Sequence, residues 1–124
     1  MTDRRRRLGQ TGEELATRFL AERGYTLIAR NVRLTGGEID IVAQDGNCLA
    51  FVEVRTRRGS GFGSPEESIT ASKAQRLVGL VDAFRQAHAD EPLPADSRID
   101  LVAIELDGRG RLVRIDLIQN AVEG

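Results

Sequence analysis

Apolar residues recur at helical spacing soon after the start of the chain. Leu15, Ala16, Phe19 and Leu20 fall on one side of a helix that opens at Thr11 or Gly12 and stops at Gly24. Glu13 and Glu14 occupy its first turn, where the helix dipole favours acids. The pattern then changes to strand. Segments over Tyr25–Asn31, Glu38–Ala43 and Cys48 to about Thr56 are set apart by Gly36-Gly37 and by Asp45-Gly46-Asn47. A long helix is predicted from Thr70 or Ser72 to about Ala89, with Ala74, Leu77, Val78, Val81 and Phe84 on one side. Pro92 and Pro94 mark a loop, and Arg98–Leu106 and Arg111–Ile118 read as two strands about a turn at Asp107-Gly108-Arg109-Gly110. A helix between the third and fourth strands requires a crossover, which makes those strands parallel neighbours. The expected fold is α/β: a small mixed sheet flanked by helices, in the order αβββαββ.

The chain has 124 residues, enough for one core, and residues 9–124 read as a single domain behind a mobile basic arm over residues 1–8. Its 40% hydrophobic and 30% charged composition is that of a soluble globular protein, and no apolar run has the length of a membrane span. Arg4-Arg5-Arg6-Arg7 has no apolar stretch behind it, unlike a secretory signal. Cys48 is the single cysteine, which suits a reducing cytoplasm, and one Cys with one His cannot build a structural zinc site. The net charge of −1 is unevenly spread: residues 1–58 hold 11 Arg against 8 acids, and residues 59–124 hold 7 basic against 11 acidic side chains. A local basic surface is therefore available on the first half. Of the 18 basic residues, Lys73 alone is lysine.

Within that half, two strands carry acids where side chains are normally buried. Asp40 sits in Gly37-Glu38-Ile39-Asp40-Ile41-Val42, and Glu53 in Phe51-Val52-Glu53-Val54-Arg55. Twelve residues and a turn separate them, so a hairpin can bring the two carboxylates side by side. Residues two apart share a strand face, which groups Glu38 with Asp40 and Glu53 with Arg55 and Arg57. Two like charges about 4 Å apart repel by roughly 4 kcal/mol at an effective dielectric near 20. A hard divalent ion such as Mg²⁺ relieves that repulsion, and so does a salt-bridge lattice with Arg55 and Arg30. Chemistry alone leaves both open. Other catalytic arrangements lack support: His88 has no Gly-x-Ser-x-Gly segment to work with, and the glycines form no phosphate loop.

Further residues carry a resemblance. Gly12-Glu13 with Ala16, Phe19 and Leu20, then Gly24-Tyr25, Arg30-Asn31, Gly37-Glu38-Ile39-Asp40 and Phe51-Val52-Glu53-Val54-Arg55-Thr56-Arg57 resemble the YraN-type family of predicted bacterial nucleases. The likeness continues through Phe62-Gly63, Lys73, Arg98-Ile99-Asp100 and Asn120-Ala121. That family is similar, more distantly, to archaeal Holliday junction resolvases and to the restriction-endonuclease-like fold. The resemblance implies a cytoplasmic Mg²⁺- or Mn²⁺-dependent endonuclease acting on DNA, including branched or damaged DNA, and, as in resolvases, a homodimer. It implies Asp40 and Glu53 as metal ligands with the Val54 carbonyl, and Glu13 near the ion. Glu38 would assist. Arg55 departs from the Asp…Glu-x-Lys motif. It stays protonated and cannot act as a general base, but it can stabilise charge on a phosphate. Arg57, Arg58, Phe62 and Lys73 are candidate nucleic-acid contacts. The alternative is a non-catalytic module that keeps the fold and binds nucleic acid or a protein.

Overall fold

A computed structural model describes residues 3–59 and 65–122. The first helix, α1, spans Asp3–Glu22 and so begins well before Thr11. Residues 3–8, expected as a mobile arm, have helical backbone. Arginine, leucine and glutamine are good helix formers, and the apolar stripe that marked the helix simply starts later than the helix itself. Its end follows the sequence. Gly24 adopts φ +91°, and the amides of Gly24 and Tyr25 donate to the carbonyls of Ala21 and Leu20, closing a Schellman motif.

Five strands follow the predicted order: β1 (Thr26–Leu34), β2 (Gly37–Asp45), β3 (Cys48–Arg58), β4 (Asp96–Leu106) and β5 (Leu112–Val122). A short 3-10 turn over Pro65–Ser68 and the second helix, α2 (Ala71–Ala87), lie between β3 and β4. Thr70 caps α2, its hydroxyl accepting from the amide of Lys73 at 3.3 Å. The sheet runs β1-β2-β3-β4-β5, with β3 and β4 parallel and all other neighbours antiparallel. The mixed α/β architecture and the order αβββαββ are as the sequence predicts. No described helix is long and apolar enough to cross a membrane.

The sheet separates two apolar layers. On one face Ala16 and Leu20 of α1 pack with Tyr25, Ile41, Ala43, Ala50, Val52, Val102 and Ile104. On the other, Leu77, Leu80 and Phe84 of α2 cover Ile39, Val42, Leu49, Phe51 and Ile99. Central β3 is therefore buried on both sides from Leu49 to Glu53, and Glu53 is the charged member of that run.

Helix α1 lies very close to β3 at Gly12. A Cβ there would stand 2.1 Å from Thr56 Oγ1, so only glycine fits. Gly12→Ala is expected to cost about 1–3 kcal/mol through overpacking. Thr56→Ala should recover most of that loss, because the Thr56 Cβ is 3.3 Å from the added atom. A double-mutant cycle in urea checks it; additive losses would rule the contact out.

Candidate functional site

The β2–β3 ladder stops at Ile41↔Val52. Beyond it, β2 stays paired with β1 as far as Gly37, while β3 continues along β4 as far as Arg58. The two strands thus part company, and Asp40 and Glu53 are the first residues past the last pair. Across the opening, the Val54 amide donates to Asp40 Oδ2 at 2.8 Å. A carboxylate has taken the place of a backbone acceptor. The amide and carbonyl of one strand residue face the same neighbour, so the Val54 carbonyl turns toward the same opening. On the far side of β2, Asn31 of β1 adopts φ +52° and interrupts the regular ladder opposite Asp40.

The two acids converge. Burial, and after it the negative charge of Glu53, push the Asp40 carboxyl up to about 7, against the Val54 amide and Arg55. Glu53, 8% exposed, is also raised by burial, while Arg55 and a hydrogen bond with Asp40 work the other way. Burial and the like charge of Glu53 disfavour a second anion here, so the Asp40 carboxyl keeps its proton up to about pH 7. Glu13 of α1 is raised as well, by burial and then by Asp40; Asn31 and an ion pair with Arg30 at 3.8 Å oppose this. Glu38 adds its charge at both Asp40 and Glu13, and itself meets Arg33 at 3.6 Å. Glu13 and Glu38 act at a distance: among the described residues, no three carboxylate, His or Cys side chains are close enough together to hold one ion.

Cations adjoin the pair. Arg55 Nη2 lies 2.9 Å from Glu53 Oε1. Among the described residues, Arg55 Nε and Arg57 Nε are buried without a hydrogen-bond partner. Glu53 and Arg55 line a cavity of about 270 Å³ with Gly37, Glu38, Lys73 and Arg76, over a floor that includes Leu77 and Leu80. Lys73, in the first turn of α2, is held below its ordinary value, chiefly by the Arg55 charge.

The remaining sequence-derived residues are placed variously. Arg58 donates to the Gly108 carbonyl at 2.9 Å and is engaged with the β4–β5 turn. Phe62 lies outside the described residues. Arg98 and Asp100 form an ion pair at 2.7 Å. Two residues escaped the sequence reading. Arg76 stands three residues from Lys73, a helical spacing that groups both at the cavity. Asn31 carried no functional signal: its left-handed backbone lies between Arg30↔Ile41 and Val32↔Ile39, in a conformation asparagine tolerates.

The chain has close relatives. A protein of Roseiflexus castenholzii is 54% identical over 123 residues, which cover 99% of this chain and 98% of the relative. One from Symbiobacterium thermophilum is 50% identical over 116 residues, covering 94% and 96%. One from Dehalococcoides mccartyi is 43% identical over 122 residues, covering 98% of each. All three are named as UPF0102 proteins. Residues 12–104, which contain Glu13, both acids of the opening and Arg76, match the profile of the same family, and the chain belongs to uncharacterised protein family UPF0102.

Proposed function

We propose that this protein is a divalent-metal-dependent endonuclease that hydrolyses phosphodiester bonds in DNA, with branched or damaged DNA as candidate substrates. The reading rests on one observation: Asp40 and Glu53 are the first residues past the last β2–β3 pair, where the strands separate, and the charge of Glu53 acts on Asp40 there. That donor set fits a hard cation. A half-buried Asp40 and a buried Glu53, both disfavoured as anions, are a favourable place for a divalent charge. Asp40, Glu53 and the Val54 carbonyl would hold Mg²⁺ or Mn²⁺. When bound, such an ion supplies an activated water and stabilises charge on the attacked phosphate.

The protein groups have separate tasks. Arg55 neutralises a phosphate oxygen; a guanidinium does not serve as a base toward water. Glu13 and Glu38 reinforce the negative field that attracts the ion. Arg57, Arg58, Phe62 and Lys73 contact the nucleic-acid strand. A restriction-endonuclease-like fold, kinship with Holliday junction resolvases, a homodimer and a cytoplasmic location form part of the same proposal. A non-catalytic binding module is the second reading, favoured by Arg55 Nη2, which already meets Glu53 at 2.9 Å.

Cleavage assays separate the two. Junction, flap, single-stranded and duplex DNA are incubated with the protein in Mg²⁺, Mn²⁺ or chelator. Metal-dependent cutting is expected, reduced at least about 100-fold in Asp40→Ala and Glu53→Ala. Arg55→Lys should cut faster than the unsubstituted protein. Salt-sensitive DNA retention without cutting in either metal selects the binding module.

A further inference from the structure

The cavity beside the carboxylate pair holds more positive than negative charge. Arg55, Lys73 and Arg76 line it together with Glu38 and Glu53. Several arginines of this chain spend their charge locally: Arg30 on Glu13, Arg33 on Glu38, Arg98 on Asp45 and Asp100, Arg111 on Asp107, and Arg114 on Glu66, Glu105 and Asp116. Among the described residues, Lys73 and Arg76 have no ion-pair partner, although Glu53 is near enough for both their charges to act on it. The three cations also crowd one another, since Arg55 and Arg76 both act on Lys73. Glu53 is already engaged by Arg55 and Glu38 by Arg33, so the cavity keeps an excess of positive charge, to which the first turn of α2 adds the positive end of a 17-residue helix dipole. What would relieve the arrangement is an anion placed between Arg55, Lys73 and Arg76.

We propose that this cavity is a phosphate subsite for a nucleic-acid strand, in which Arg76 and Lys73 of α2 and Arg55 of β3 hold one backbone phosphate next to the Asp40–Glu53 pair. Such a subsite presupposes the nucleic-acid reading above and needs no cleavage. A volume of about 270 Å³ accommodates a phosphate group with part of its sugar, and not a stacked base pair. Arg76 sits at the exposed rim, where a guanidinium can bind two phosphate oxygens at once. It is a binding residue in this scheme, with no role in proton transfer.

The test is fluorescence anisotropy of a labelled DNA duplex across a salt series, in chelator, so that no cutting occurs. Arg76→Gln is expected to weaken binding about tenfold and to lower the slope of log K against log salt by about one. Arg76→Lys should restore the slope, and Arg109→Gln, in the β4–β5 turn, should change neither quantity. Inorganic phosphate at constant ionic strength should displace the duplex more readily from the unsubstituted protein than from Arg76→Gln. Circular dichroism verifies that the variants fold, and Lys73→Gln serves as the second variant. An affinity and slope for Arg76→Gln equal to those of the unsubstituted protein would overturn the subsite. DNA held through Arg76 but never cut in any metal would instead sink the nuclease reading and leave the subsite standing.

Discussion

Asp40→Asn will make the metal-free protein more stable at pH 8, by on the order of 2–3 kcal/mol, although it removes a half-buried charged group. The sign follows from proton binding. Asp40 titrates near 3.8 in the unfolded chain and near 7 in the fold, because burial and Glu53 disfavour its charge. Below about pH 4 the acid is protonated in both states, and its contribution to stability is complete. Between there and pH 7 the folded protein keeps a proton that the unfolded chain has released, so stability falls as pH rises. Above pH 7 the loss is complete. Glu53, also raised, adds to the same slope.

Asparagine has no such titration, and its carbonyl can still accept from the Val54 amide. Urea unfolding in chelator at pH 4.5, 6 and 8 should show a falling series for the unsubstituted protein and a flatter one for Asp40→Asn. Adding Mg²⁺ or Mn²⁺ should raise the melting temperature of the former and leave the latter unmoved. If Asp40→Asn instead lowers stability at pH 8 and leaves the pH slope unchanged, the carboxylates are not crowded as the geometry requires.

The second large effect lies on the neighbouring strand, away from the cavity. Asp100→Ala is expected to cost about 3–5 kcal/mol, more than any other charge deletion in this chain. Asp100 is 0% exposed and accepts from four groups: Arg98 Nε at 2.7 Å, Arg98 Nη2 at 3.0 Å, the Tyr25 hydroxyl at 2.9 Å and the Asn120 amide at 2.9 Å. Arg98 reaches on to Asp45 at 2.9 Å, and Gln119 donates to Tyr25. Deleting Asp100 leaves the Asn120 amide without its acceptor and Arg98 with Asp45 alone as its carboxylate, whereas Tyr25→Phe removes hydrogen bonds only and should cost about 1–2 kcal/mol. Equilibrium unfolding in urea measures both. Equal losses for the two variants would mean that the network is not organised around the carboxylate.

The two acids share a structural device. Asp100 accepts the Asn120 amide where β5 bulges, with Ile99 pairing to Val122 and Leu101 to Ile118. Asp40 accepts the Val54 amide where β2 leaves β3. In each case a carboxylate substitutes for a missing carbonyl in the sheet. One acid is neutralised within the fold by Arg98; the other shares its surroundings with Glu53 and is offset in part by Arg55.

Local patterns in the chain already determined much of this. Apolar periodicity and turn residues set the order αβββαββ, since period and turn chemistry act within a few residues. The glycines at positions 36, 37 and 46 delimited the strands that carry Asp40 and Glu53, so their side-by-side placement followed from hairpin spacing. The N-terminal turns of α1 were not legible, because a helix without an apolar stripe leaves no period to read. Only the tertiary structure decided that β2 and β3 diverge right after Ile41 and Val52, that Gly12 admits α1 to within contact of Thr56, and that Arg76 joins Arg55 across the cavity. Register, close approach and charge crowding depend on segments far apart in the chain, and no local propensity encodes the distance between them.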